Sequence, residues 1–230
     1  TSSRSILFTE KAEIFEVASE HLECRYPDSG WVEQDAEAIW ETQRSTIVKV
    51  LDQAGIGLSE VSAIGITNQR ESTIAWNRET GEALCPAINW QCRRTAGFCD
   101  ELKEEGFDEL IRNRTGLVTD PYFSGTKMHW ILQNVPEAAN LARQGKLCFG
   151  TVDSWLIWKL SGGIAHAIEI SNASRTLVFD IQKCEWDSEI LSRFGIPPES
   201  LPEVVPSSGV IAEVDESLFG GSAPIAGAAG

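Results

Sequence analysis

Val61-Ser62-Ala63-Ile64-Gly65-Ile66-Thr67-Asn68-Gln69-Arg70-Glu71 passes within a few residues from an uncharged, largely apolar run into a polar one that sets a cation beside an anion. The first part, Val61 to Ile66, is short and carries β-branched residues, which predicts a strand in a buried sheet position. Open α/β folds bind ligands beyond the carboxyl ends of such strands. Successive strand side chains point to opposite faces, so Arg70 and Glu71 can serve one ligand only if the chain leaves strand geometry there, and a loop is predicted at that point. A guanidinium supplies fixed donors and a bare carboxylate supplies acceptors, a combination able to grip vicinal hydroxyls of a small polyol. The same residues also read as a solvated surface ion pair, the commoner arrangement, which contributes little.

On either side of this stretch strands alternate with helices, the pattern of an α/β domain. Ser5 to Thr9 and Ile14-Phe15-Glu16-Val17 are predicted to form an opening hairpin. From Asp35 to about Ala54 the spacing of Ala36, Trp40, Ile47, Leu51 and Ala54 predicts a helix lying on the sheet, with Asp35 as N-cap and Gly55 just past its end. Thr73 to Asn77 and Ala87 to Trp90 flank Arg78-Glu79-Thr80-Gly81 and read as a second hairpin. Met128, Ile131, Leu132 and Val135 recur at helical spacing until Pro136. Val152, Trp155, Leu156 and Leu160 predict another helix, begun near Asp153 and closed by Gly162-Gly163, whose tryptophans read as core. Ile190, Leu191 and Phe194 predict a third between Asp187 and Gly195.

Composition fits an ordinary globular enzyme fragment, with 42% hydrophobic and 23% charged residues. Nineteen Lys plus Arg against 34 Asp plus Glu give a formal net charge of −15, which opposes binding to nucleic acid or anionic membranes. Any phosphate contact must therefore be local. The six cysteines, at 24, 85, 92, 99, 148 and 184, form no Cys-x-x-Cys pair and the three histidines are scattered, so the sequence supports no zinc site and the thiols read as free and buried. Neither a signal peptide nor an apolar run of membrane-spanning length is present, which makes the cytoplasm the expected location. No Gly-x-x-x-x-Gly-Lys-Ser/Thr occurs, and Gly55-x-Gly57 has Glu60 where a dinucleotide fingerprint needs glycine. The sequons at Asn113 and Asn172 carry little weight.

Further segments carry a shared pattern: Gly30-Trp31-Val32-Glu33-Gln34-Asp35, Trp90-Gln91-Cys92-Arg93-Arg94-Thr95, Asp120-Pro121-Tyr122-Phe123-Ser124-Gly125-Thr126-Lys127, Gly150-Thr151-Val152-Asp153-Ser154-Trp155-Leu156, Asn172-Ala173-Ser174-Arg175-Thr176, Leu201-Pro202-Glu203-Val204 and Pro224-Ile225-Ala226-Gly227. In order and spacing they closely resemble the FGGY carbohydrate kinases. Asn68-Gln69-Arg70-Glu71 resembles their glycerol kinase branch more than the sugar kinases.

The resemblance implies an α/β fold of the ribonuclease H-like (actin-like ATPase) type, a mixed central sheet flanked by helices, with its first strand truncated. Residues 1–230 would be the amino-terminal, substrate-binding domain, cut at both ends and parted from a carboxy-terminal nucleotide-binding domain of the same chain. It implies transfer of the terminal phosphoryl of ATP, with Mg2+, to the terminal hydroxyl of glycerol, giving sn-glycerol 3-phosphate and ADP, in a cytoplasmic homo-oligomer. Arg70, Glu71 and Tyr122 would meet the polyol hydroxyls and Trp90 would wall its carbon chain, helping to exclude water. Thr1, Ser2 and Arg4 would approach the nucleotide phosphates. No metal ligand and no catalytic residue is expected within the fragment, which alone should be inactive; the general-base aspartate is expected just after Gly230. An isolated Trp or Tyr is ordinarily a core or rim aromatic. A related polyol or sugar kinase, or a non-catalytic ligand-binding domain, are the alternatives. Where some relatives carry an arginine that binds a sugar bisphosphate inhibitor, Asp215-Glu216-Ser217-Leu218-Phe219-Gly220-Gly221-Ser222-Ala223 has two acids and no base, so that inhibition is expected to be lacking.

Overall fold

The structure is a computed structural model and describes residues 2–230; Thr1, expected near the nucleotide phosphates, lies outside them. The chain runs through β1 (Ser2–Phe8), β2 (Ile14–His21), β3 (Glu33–Gln34), α1 (Ala36–Ala54), β4 (Ile64–Thr67), β5 (Ile74–Asn77) and β6 (Ala87–Ile88). It continues with α2 (Ala96–Glu104), α3 (Phe107–Thr115), α4 (Ser124–Asn134), α5 (Pro136–Arg143), β7 (Leu147–Gly150), α6 (Val152–Leu160), β8 (Ala167–Glu169) and α7 (Ile170–Ala173). Then follow β9 (Phe179–Asp180), β10 (Glu185–Trp186), α8 (Ser188–Phe194), β11 (Glu203–Val205), β12 (Ser208–Glu213), α9 (Glu216–Phe219) and β13 (Pro224–Ala229). The fold is α/β and its pairing is mixed. β4 and β8 are joined in parallel to β13 and β11, whereas β1–β2, β3–β6, β5–β7, β9–β10 and β12–β13 are antiparallel.

The predicted opening hairpin is present, and strand alternation gives it two chemically different faces. Ser3 and Ser5 turn inward, their hydroxyls 2.7 and 2.8 Å from those of Thr42 and Thr46 on α1. Ser2, Arg4, Ile6 and Phe8 lie on the opposite, exposed face. α1 starts and ends where the sequence places it: Asp35 accepts from the amides of Glu37 and Ala38, and Gly55 takes a left-handed φ of 69° that lets its amide close on Asp52 and Leu51.

The β5–β7 ladder divides the interior. Ile74 and Trp76 point into one apolar cluster with Cys148, Trp155, Trp158 and Ile225, while Ala75, Leu147 and Phe149 point into a second with Leu102, Ile111, Ile131 and Phe194. Both faces of this pair are covered, which accounts for its uninterrupted apolar sequences. Trp155 and Trp158 are core residues, their rings 5.2 and 5.9 Å from that of Trp76.

Several expectations need correction. The strand predicted from Val61 forms only at Ile64, and Gly65 and Thr67 are exposed, so it is covered on one face only. Pro136 does not merely end a helix. Val135 closes α4, and Pro136 occupies the first turn of α5, where its missing N–H costs nothing. α2 and α3, separated by Gly106 at φ 73°, were not foreseen. Not all thiols are buried: Cys92, Cys99 and Cys148 are, Cys24 and Cys85 are half-buried, and Cys184 is exposed. Among the described residues no helix is long and apolar enough to cross a membrane.

Candidate functional site

After β4 the chain turns at Arg70 and Glu71, as the sequence requires, and Glu71 takes a φ of 63°, a left-handed conformation that non-glycine residues enter seldom. Such a conformation costs about 1–3 kcal/mol and persists only where its surroundings hold it. Here the Glu71 carbonyl accepts from the Lys127 ammonium at 2.8 Å and from the Ser124 and Thr73 hydroxyls at 3.3 Å each. The carboxylate is buried, 2% exposed, and accepts from Arg175 Nε at 2.8 Å. Backbone and side chain of Glu71 are therefore fixed separately, from α4 and from the turn after α7.

The same Lys127 Nζ donates to the Tyr122 carbonyl at 2.7 Å, joining the Glu71 turn to the segment that opens α4. That segment is pinned further by Asp120, whose Oδ1 accepts from the Tyr122 amide at 2.9 Å and from Arg93 at 2.8 Å. Trp90 is brought alongside, its amide donating to Ser72 Oγ at 3.2 Å and its ring lying edge-on to Tyr122 with centroids 5.7 Å apart. The loop after Trp90 is anchored by Arg94, which bonds Glu33 at 2.6 Å under the Trp31 ring, 3.8 Å from its centroid. Arg175 lies 5.0 Å over the Phe123 ring, closing the group. Lys127 is fully buried, and burial pushes its ammonium down to about 7.

Arg70 takes no part in the Glu71 pairing. It is exposed, and its Cδ lies beside the end of β13, 3.2 Å from where a side chain at Gly230 would begin. The same spot is 2.7 Å from Ser171 Oγ and 3.1 Å from Asn172 Oδ1. Behind it Asp153, fully buried at the start of α6, accepts from the Thr151 hydroxyl, from Asn172 Nδ2 at 2.8 Å and from the Glu169 amide at 3.3 Å. Burial pushes the Asp153 carboxyl up against the pull of those bonds. Asn68 joins this network, its Oδ1 accepting from the Asp153 amide at 3.0 Å. Residues just past the ends of β4, β7 and β8 thus meet at the end of β13, where open α/β sheets bind ligands.

Of the residues expected at the polyol, Trp90 and Tyr122 meet directly, Glu71 joins them through Lys127 and Ser72, and Arg70 stands at the neighbouring β13 end. Arg70 and Glu71 do not form a surface ion pair with each other. Glu71 is not a bare acceptor, since Arg175 already occupies one of its oxygens, and the partner of Glu71 comes from 104 residues along the chain. Ser2 and Arg4 sit on the outer face of β1, and among the described residues no hydrogen bond or ion pair joins their side chains to the Glu71 turn. The Asn172 sequon is internal, its side chain committed to Asp153. Arg175 and Lys127 were missed. Lys127 carries a readable signal: it stands four residues before Ile131, on the apolar stripe of α4, where a cation has to be buried. Arg175 lies in an irregular segment with no periodicity to mark it.

The sequence profile of the FGGY family of carbohydrate kinases, N-terminal domain, matches residues 1–230. The chain is 52% identical over 231 residues to the glycerol kinase of Treponema denticola, covering all of this chain and 47% of that one. To glycerol kinase 1 of Clostridium tetani it is 54% identical over 230 residues, covering 46% of that protein. In three dimensions it resembles the crystal structure of Plasmodium falciparum glycerol kinase with ADP, with a TM-score of 0.91 at 29% identity, over 99% of this chain and 46% of the other. The chain spans about half the length of the curated relatives it matches. By its sequence and by its fold, the chain belongs to the FGGY family of carbohydrate kinases and corresponds to their N-terminal domain.

Proposed function

We propose that this chain is the polyol-binding half of an ATP-dependent kinase whose acceptor is glycerol. The observation that carries the reading is the Glu71 turn, its carboxylate held by Arg175 and its carbonyl tied through Lys127 to the segment where Tyr122 meets Trp90. A fixed carboxylate accepts hydroxyl protons of a small polyol, and Arg70 at the end of β13 offers donors to a neighbouring hydroxyl. The Tyr122 phenol can donate or accept, and Trp90, 37% exposed, presents a flat apolar face to carbon-bound hydrogens. Identity of 52% and 54% to proteins named glycerol kinase supports glycerol over a longer sugar.

ATP supplies the terminal phosphoryl group, and magnesium bound with it neutralises phosphate charge. The glycerol hydroxyl oxygen forms the new bond to phosphorus as the bond to ADP breaks, and the hydroxyl proton passes to the general-base carboxylate expected just after Gly230. This chain's part is to orient the hydroxyl and keep competing water away. Ser2 and Arg4, open on β1, have the hydroxyl and guanidinium chemistry to meet phosphate oxygens. Magnesium, a cytoplasmic location and homo-oligomeric assembly belong to the same proposal and rest on the resemblance.

The test is ATP-dependent phosphorylation of glycerol by the full-length chain carrying this domain, with xylulose and ribulose as competing acceptors, and with Arg70→Ala and Glu71→Ala variants. Turnover of glycerol that collapses in both variants supports the reading. Preference for a five-carbon sugar would reassign the acceptor, and a folded protein inactive on all three would point to a ligand-binding domain without catalysis.

A further inference from the structure

Lys127 bonds the backbone carbonyls of both segments of the candidate polyol site, those of Glu71 and Tyr122, from inside the core. Its Nζ, 0% exposed with its residue, lies 2.8 Å from the Glu71 carbonyl and 2.7 Å from the Tyr122 carbonyl. Arg175, not Lys127, bonds the Glu71 carboxylate, and the hydrogen bonds of the Lys127 ammonium go to backbone carbonyls. One of these carbonyls belongs to a non-glycine residue at φ 63°. An isolated charge at such depth is expensive, and it is retained here on a helix face otherwise filled by Met128 and Ile131.

We propose that Lys127 is a positioning residue for the acceptor substrate: by tying the Glu71 turn to the Tyr122 segment it holds the two sides of the polyol grip at a fixed separation, and the grip tightens when this nitrogen is charged. The proposal rests on the polyol reading above. An ammonium makes charge-assisted bonds, roughly twice as strong as those of a neutral amine. The neutral amine still has two N–H groups for the two carbonyls, so loss of the proton loosens the tie without cutting it. The ionisable groups facing this nitrogen are Glu71 on the turn after β4, Cys92 and Arg94 on the loop after β6, and Asp120 before α4. The acids and the Cys92 thiol favour the charged form, Arg94 opposes it, and burial, the largest influence, brings the transition to about 7. Glycerol itself does not ionise in this range, so a pH dependence of its KM reports on the protein.

The experiment measures KM for glycerol, KM for ATP and kcat on the full-length chain and its Lys127→Met variant, between about pH 6 and about pH 9. In the wild type the glycerol KM should rise roughly three- to tenfold with pH, through a midpoint near neutrality, while the ATP KM does not follow it. Lys127→Met should raise the glycerol KM about tenfold or more at every pH and leave the ATP KM within about twofold. A residue that only stabilised the fold would lower apparent kcat with both KM values unchanged, and that result overturns the proposal. If Lys127→Met does not fold, Lys127→Gln, which keeps an amide donor for the carbonyls without the charge, is judged by the same KM split, and an unchanged glycerol KM overturns the proposal. If the wild type phosphorylates a longer polyol in preference to glycerol, the substrate reading falls while the Lys127 proposal is judged by the same KM split on that polyol.

Discussion

At the residue scale the site depends on two cations at different depths, Lys127 fully buried and Arg175 with its side chain 32% exposed. Arg175→Met removes the guanidinium over the Phe123 ring and leaves the Glu71 carboxylate, 2% exposed, without its charged partner. Because only the carboxylate is fully buried, the loss is about 1–3 kcal/mol, so urea denaturation should show a lower midpoint, with glycerol binding weakened at temperatures where the variant is folded. Lys127 has the opposite relation to stability. Its folded value, about 7, is lower than the ordinary lysine value of 10.5, so between those pH values the unfolded chain binds the proton and the native chain does not. Stability from this group therefore rises with pH across that window, by roughly 2 kcal/mol between pH 7 and pH 9. Chemical denaturation at the two pH values should show this gain in the wild type and not in Lys127→Met. The charged form that serves the grip is the form the fold tolerates less well.

At the element scale α4 is the part that brings the site together, and it does so by close approach. The Gly125 amide donates to the Thr176 carbonyl at 2.6 Å, and a Cβ at Gly125 would lie 2.8 Å from that oxygen and from Val178 Cγ1. Gly125→Ala should cost about 1–3 kcal/mol by thermal melt and push the Arg175 turn away from Glu71, raising the glycerol KM. α9 bears on regulation instead. Asp215 caps it through the Ser217 amide, and Glu216 adds a second acid, so a bisphosphate finds repulsion there. Activity of the full-length chain should be unchanged by fructose 1,6-bisphosphate at concentrations that inhibit a sensitive kinase. What was legible in the sequence followed from local rules. α1 and α8 carry their own caps and stripes, α6 shows as an apolar run that is buried nearly all round, and the Arg70–Glu71 turn had to break strand geometry. α2, α3 and α5 were hidden because α3 is strongly polar and Pro136 reads as a stop as easily as a start. Half of the site was hidden for another reason: Arg175 reaches Glu71 only through the fold, and a long-range ion pair leaves no periodicity in the chain.

At the scale of the whole molecule, the two clusters meeting across β5 and β7 bury groups whose protons respond to pH in opposite senses. His166 packs edge-on to Trp76, with centroids 5.1 Å apart, and its Nε2 lies 2.7 Å from the Phe149 carbonyl, as in a neutral ring donating from that nitrogen. Burial pushes it down to about 4, so between pH 6.5 and pH 4 the unfolded chain takes up a proton that the native chain refuses, and stability falls by about 3 kcal/mol as pH is lowered through that range. On the alkaline side burial raises the Cys85, Cys99 and Cys148 thiols to about 11, 12 and 12, above the ordinary value of 9.0. Their contribution is present below the ordinary value and is lost as pH rises beyond it, because the unfolded chain then releases protons that the native chain keeps. Above that point three thiols act against one lysine, and stability declines. Most proteins are most stable between about pH 5 and pH 8, whereas these groups together place the maximum near pH 9. Guanidinium midpoints taken from pH 4 to pH 10.5, under reducing conditions and with enough salt to screen the net charge of −15, should trace that dome. His166→Gln should flatten the acid limb and leave the alkaline limb in place, and a maximum below pH 7 in the wild type would show that surface carboxylates, rather than these buried groups, govern the pH response.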